Sequence, residues 1–269
     1  MTTTVPTRDL GRGVHMPMLG VGVFKVPPGD VTERVVREAL DVGYRHVDTA
    51  ALYRNEESVG AALRASGIPR EEIFVTTKLL PPRVPGRDAG ALLEGSLKRL
   101  GLDYVDLYLV HWPNRWSRWQ WPALERARER GLTRAIGVSN YGVGHLEELF
   151  RRGGSTPAVN QVLFNPFAFR RALLAYCNDQ GIVLEAYASL TQGGRIGDRR
   201  IASIAAAHDR TPAQVLLRWA LQHDVPVIPK SLRRERLQEN AQIFDFTLSE
   251  TDMAALDALD ETSGTTEAL

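Results

Sequence analysis

The chain has 269 residues, a formal net charge of +1, 43% hydrophobic residues and a single cysteine, Cys177. That length allows one large domain or two small ones, with a substantial buried core. The near-zero charge gives no sign of a general nucleic-acid or membrane surface, the lone cysteine excludes an intrachain disulfide, and no apolar stretch is long enough to span a bilayer.

Taken in chain order, the segment from Thr7 to Met18, turning at Gly11-Arg12-Gly13, is predicted to form an N-terminal β-hairpin. Short strands are expected near residues 19–24, 45–49, 73–78, 105–111, 133–138, 158–163, 182–187 and 225–229. Amphipathic helical stretches lie between them at 30–43, 55–66, 88–100, 121–131, 143–152 and 168–180, and at 198–223 in two pieces. Two more, 233–243 and 249–259, follow the last strand. Thr211-Pro212 reads as an N-cap followed by proline at the first helical position, and Ser249 as a second N-cap with Glu250 and Asp252 in its first turn.

Eight strands alternating with helices predict the α/β class and a (β/α)8 TIM barrel, folded as a single domain over residues 1–269. The rival is a doubly wound sheet with a dinucleotide fingerprint in its first turn. Its only candidate, Gly20-Val21-Gly22-Val23-Phe24-Lys25, lacks the third glycine that lets helix and strand pack closely.

Four polar residues stand at or just past the ends of three successive apolar runs: Asp48, Tyr53, Lys78 and His111. In a barrel, groups at the C-terminal strand ends converge on one mouth. A carboxylate, a phenol, an ammonium and an imidazole gathered there suit proton delivery to a carbonyl oxygen. A phenol with an ordinary pKa of about 10 is a reluctant donor, so Tyr53 as general acid calls for a nearby cation. Lys78 supplies one, and Asp48 can hold the ammonium through a charge-assisted hydrogen bond. His111 can orient the carbonyl and assist proton transfer. The composition agrees, because the chain has 29 Arg and only four Lys, and Lys78 and Lys230 each close an apolar run. Taken singly, each residue has a structural explanation as a cap, a packing ring or a solvated charge. What outweighs those readings is the joint occurrence of the four within the motifs of a known family.

Three stretches make the chain resemble the aldo-keto reductase family. They are Gly43-Tyr44-Arg45-His46-Val47-Asp48-Thr49-Ala50 with Tyr53, Glu56 and Val59-Gly60; Ile136-Gly137-Val138-Ser139-Asn140-Tyr141; and Ile228-Pro229-Lys230-Ser231 with Arg236, Glu239 and Asn240. Matches run from residue 20 to about 260, and the chain looks most like the bacterial diketogluconate-reductase-like branch. The resemblance implies a (β/α)8 barrel, a nicotinamide cofactor held without a Rossmann domain, and catalytic roles for Asp48, Tyr53, Lys78 and His111. It also implies carboxamide contacts from Ser139, Asn140 and Gln161, ring stacking on Tyr187, and adenine contacts from Glu239 and Asn240.

Lys230 and Arg236, with Ser231, lie close to a helix start and are expected to hold a 2′-phosphate, which favours NADPH over NADH. Arg233 and Arg234 are read either as added charge or as a solvated face. Phe24 stands where many relatives carry Trp, and Ala188-Ser189-Leu190 where many carry Ser-Pro-Leu. Leu163-Phe164-Asn165-Pro166 also departs from the usual pattern after Gln161. Trp112, Trp116, Trp119 and Trp121 crowd one segment after His111 and predict an aromatic wall for the substrate, shared with Phe24, although some of them can serve to pack the loop. Trp219 is expected in the core. The short polar tail after Leu259 is expected to form little lid.

The expected activity is therefore NADPH-dependent reduction of aldehydes or ketones, with a small-molecule carbonyl compound as partner and no nucleic acid or membrane. The alternative is an NADPH-binding regulatory or sensor barrel with little turnover. No HExxH, clustered His/Cys spacing or GxSxG elbow is present, so no metal site is expected. Met1 to Leu10 lacks the apolar core of a signal peptide, and a cytoplasmic monomer is the expectation.

Overall fold

The computed structural model describes residues 5–79, 89–114 and 117–262. An antiparallel hairpin, β1 (Thr7–Asp9) and β2 (His15–Pro17), comes first. The alternation follows: β3 (Val21–Gly22), α1 (Asp30–Val42), β4 (His46–Asp48), α2 (Glu56–Ala65), β5 (Phe74–Leu79), α3 (Ala89–Leu100), β6 (Val105–Val110) and α4 (Ser117–Glu129). It continues through β7 (Thr133–Ser139), α5 (Val143–Arg151), β8 (Val159–Leu163), α6 (Arg171–Asp179), β9 (Val183–Tyr187), α7 (Arg199–Ala207), α8 (Pro212–Gln222), α9 (Arg234–Ala241) and α10 (Glu250–Asp257).

Strands β3 to β9 form one parallel sheet in sequence order. The segment expected as an eighth strand, 225–229, closes it. Val227 bridges in parallel to Leu19 on one side and to Ala186 on the other. Val227 N donates to Met18 O at 3.0 Å, Gly20 N to Val227 O at 2.8 Å and Ala186 N to Pro226 O at 2.8 Å. Pro226 and Pro229 have no N–H, so the segment makes bridges rather than a full ladder. The result is a (β/α)8 barrel. Gly22 allows the closure, since a Cβ there would lie 2.9 Å from Ile228 O. The Gly20-Val21-Gly22 pair thus serves close backbone packing, not a phosphate turn.

Successive strand residues point to opposite faces, and here both faces are buried, as in parallel sheets covered by helices. Tyr108 and Val110 of β6 face the helices, while Leu107 and Leu109 join Phe74, Ala135, Val159 and Val183 inside the barrel. Val14 and Met16 of the hairpin pack on that inner cluster and plug the end where the strands begin. The same two-residue parity carries inward-facing positions along each strand to the other end: Asp48 from His46, Lys78 from Phe74, Gln161 from Val159, and Glu185 and Tyr187 from Val183.

Two helix starts differ from expectation. Helix α4 begins at Ser117, four residues ahead of the expected start at 121, with Pro122 inside it. Helix α6 begins at Arg171, after a turn joining Asn165 and Ala168. The predicted caps are in place: Thr211 accepts from Gln214 N and Ser249 from Asp252 N. Trp219 is fully buried. No helix among the described residues is long and apolar enough to cross a membrane. Residue 88, Trp116 and the tail beyond 262 lie outside the described residues.

Candidate active site

Parity and strand order bring the four strand-end groups together. Lys78 Nζ donates to Asp48 Oδ1 and Oδ2 at 2.6 and 2.7 Å, to Thr49 O at 3.0 Å and to Tyr53 Oη at 3.3 Å. The Lys78–Asp48 pair is buried, with the two side chains 1% and 3% exposed. Tyr53 ends a short 3-10 turn, Ala51–Tyr53, just after β4, and its ring lies 5.8 Å from that of His111. Asn55 fixes this turn: it accepts from Thr49 Oγ1 and donates to the carbonyls of Val23 and Val26, tying it to the loop that carries Phe24.

The electrostatics refine the expected roles. Burial pushes the Tyr53 phenol up and outweighs the Lys78 charge that draws it down, so its pKa lies above the ordinary value and the group stays protonated. Burial pulls the Lys78 ammonium down, but Asp48 and Tyr53 more than compensate, and its pKa is raised. For His111, burial and then the Lys78 charge lower the pKa to about 3. His111 is therefore a neutral imidazole at physiological pH. It can orient a carbonyl by hydrogen bonding, but it is not the protonated donor.

Around these groups opens a cleft of about 1040 Å³, at the upper end of the range for small-molecule and cofactor sites, roughly 300–1000 Å³. Every residue predicted for the site except the buried Lys78 lines it: Asp48, Tyr53, His111, Ser139, Asn140, Gln161, Tyr187, Lys230, Ser231, Arg236, Glu239, Asn240, Phe24 and Trp112. Tyr187 Oη donates to Asn140 Oδ1 at 2.7 Å, and Asn140, at φ 64°, donates to His111 O. Asn tolerates that left-handed conformation better than most residues. Lys230 and Arg236 have no acidic partner among the described residues. Ser231 Oγ instead closes the turn before α9, accepting from Arg233 N and donating to Arg233 O. Arg234 pairs with Asp41, and neither it nor Arg233 lines the cleft.

The aromatic wall is smaller than expected. Trp112, 41% exposed, lines the cleft beside Phe24, whose ring is 5.0 Å from Tyr53. Trp121 is 2% exposed and belongs to the core, and Trp119 does not line the cleft. Lys25 lines it as well.

Glu185 escaped the sequence reading. It lies two residues before Tyr187 on the same face, fully buried, and its signal was an acidic side chain at an inward barrel position. Burial, then the charge of Asp48, push its carboxyl up to about 8. The folded pKa lies above the unfolded one, so the folded state holds a proton that the unfolded state has lost, and this contribution to stability declines as pH rises from about 4.5 to about 8. Glu185→Gln removes the titration. Urea unfolding is expected to show the variant gaining on the natural protein by on the order of 3 kcal/mol between about pH 5 and about pH 8.5. Parallel pH profiles would contradict the assignment.

The sequence model of the Aldo/keto reductase family matches residues 19–261, and the chain belongs to that family, whose members are oxidoreductases acting on carbonyl groups. It is 47% identical over 262 residues to the glyoxal reductase of Bacillus subtilis (strain 168), covering 97% of this chain and 95% of that protein. Among solved structures, an aldo/keto reductase from Brucella melitensis superposes with a TM-score of 0.90 at 42% identity, over 96% of this chain and 100% of that one. An aldo-keto reductase from Bombyx mori in complex with NADP gives 0.88 at 33% identity, over 96% and 94% of the two chains.

Proposed function

We propose that the protein is an NADPH-dependent reductase of aldehyde and ketone carbonyls, with Tyr53 as the proton donor. The observation that carries this reading is the buried Lys78 ammonium, which binds the Asp48 carboxylate and the Tyr53 hydroxyl together at the wall of an open cleft. NADPH, when bound, would supply a hydride for the carbonyl carbon.

The chain's own residues do the rest. Lys78 donates to the phenol oxygen, leaving the Tyr53 proton free to pass to the carbonyl oxygen as negative charge develops there. An alkoxide is a far stronger base than a phenolate, so a phenol with a raised pKa remains a competent acid towards it. His111, neutral, orients the carbonyl. Phe24 and Trp112 form the apolar wall against which the rest of the substrate packs. The donor set of the cleft also fits an anionic dinucleotide, because Lys230 and Arg236 are cations without acidic partners among the described residues and line the same cavity. Ser139, Asn140 and Gln161 offer amide and hydroxyl contacts to a carboxamide, Tyr187 offers a ring face, and Glu239 and Asn240 offer polar contacts to the adenine.

A panel of aldehydes and ketones that includes glyoxal, with NADPH consumption as readout, tests the activity. Tight binding of NADPH without turnover on any of them would favour a sensor barrel instead. Arg236→Ala tests the phosphate contact. Loss of a charge-assisted bond is expected to raise the NADPH Kd by about 10- to 100-fold and the NADH Kd by less than about threefold. Equal losses in calorimetric titrations would remove Arg236 from the 2′-phosphate.

A further inference from the structure

Glu185 is a fully buried carboxyl for which the proton-transfer chemistry above has no use. An acidic group in a barrel interior carries a desolvation cost that an apolar residue would avoid. Its contacts are specific. Gln161 Nε2 donates to Glu185 Oε2 at 2.8 Å and to Asp48 Oδ2 at 2.8 Å. Both N–H groups of the Gln161 amide are thereby engaged by carboxyl groups. The backbone carbonyl of Gln161 is occupied as well, accepting from Asn140 N and Ser139 Oγ. What is left is the side-chain Oε1, which has no hydrogen-bond partner among the described residues, on a residue that lines the cleft.

We propose that Glu185 is a positioning residue that locks the Gln161 amide, so that Gln161 presents Oε1 as an acceptor to the carboxamide N–H of a bound nicotinamide. The proposal rests on the cofactor reading above and adds to it the residue that sets the polarity of the contact. Asp48 alone engages one N–H and leaves the amide plane free to turn about it. A second acceptor on the other N–H fixes the plane. The flipped amide would turn its oxygen towards the Asp48 carboxylate and lose both N–H contacts. The second carboxyl oxygen, Glu185 Oε1, has no hydrogen bond, and His46 Nε2 lies 3.7 Å away. The pairing with Gln161 is thus the one hydrogen bond that the Glu185 carboxyl makes among the described residues. The pKa of about 8 means that Glu185 is largely protonated near neutral pH. A neutral carboxyl still offers an oxygen to Gln161 and avoids a second buried negative charge beside Asp48.

The test compares the Kd of NADP with that of its 3-acetylpyridine analogue, which carries a methyl ketone in place of the carboxamide and so has no N–H to donate. Calorimetric titration of the full chain is expected to give about a tenfold preference for NADP, the value of one ligand hydrogen bond. In Glu185→Met, which keeps the side-chain volume and removes the acceptor, the preference is expected to fall to about twofold, with analogue affinity nearly unchanged. A purely structural role for Glu185 would weaken both dinucleotides together, and that result overturns the proposal. Glu185→Gln retains a carbonyl oxygen and is expected to keep the preference. Should the Met variant fail to fold, loss of the preference in the Gln variant alone overturns the proposal. A tenfold preference persisting in Glu185→Met overturns the role of Glu185 and leaves the cofactor reading standing. Absence of any preference in the natural protein overturns the Gln161 contact itself, and absence of NADP binding overturns the cofactor reading with it.

Discussion

Tyr53→Phe is expected to lower kcat for carbonyl reduction by about a thousandfold while changing the NADPH Kd by less than about twofold, within the range for removal of a general acid. The ring remains in place to pack against Phe24 and His111, at centroid distances of 5.0 and 5.8 Å. Only the hydroxyl that Lys78 binds at 3.3 Å is lost. Neither neighbour can replace it. His111 is a neutral imidazole, with a pKa lowered to about 3, and Lys78 is held in the buried pair with Asp48. Stopped-flow measurement of single turnovers separates the chemical step from product release. Turnover within about tenfold of the natural protein would mean that another group delivers the proton.

Lys78→Met is expected to be both inactive and destabilised. The ammonium is the cation beside the Asp48 carboxylate, and removing one member of a buried pair leaves an uncompensated charge at a cost of about 3–5 kcal/mol. For a chain of this size that corresponds to a fall in Tm of about 10 °C. The Gln161 N–H still reaches Asp48, which keeps the loss at the lower end of that range. The double variant Asp48→Asn/Lys78→Met removes both charges and is expected to recover most of the stability and none of the activity. Thermal melts of the two single variants and the double variant form a cycle. Simple additivity of the losses would show that the pair is not coupled. Recovery of stability without activity separates the structural part of the Lys78–Asp48 pair from its service to Tyr53.

The barrel was legible because parallel strands buried on both faces appear as short apolar runs, and the runs near residues 45, 73, 105, 133, 158 and 182 fall close to strands β4 to β9. The closing segment was harder. Pro226 and Pro229 leave it too few donors for a ladder, so its pairing shows only as bridges to Leu19 and Ala186. The helix starts of α4 and α6 were also misplaced, since Pro122 and the turn at Asn165 act through local geometry that periodicity does not encode. Among the tryptophans, crowding in sequence did not distinguish Trp112 at the cleft from Trp121 in the core.

By itself the sequence determined the alternation, the place of Asp48, Lys78 and His111 at strand ends, and the family motifs that mark the mouth of the barrel. These depend on side-chain period and residue type, which are local properties. Only the tertiary structure decided the protonation of the groups gathered there. The Tyr53 phenol is raised, not lowered, beside its lysine, His111 is neutral, and Glu185 is a largely protonated carboxyl braced against Gln161. Burial and the distance to neighbouring charges set each of these shifts, and neither quantity exists until strands far apart in the chain lie side by side.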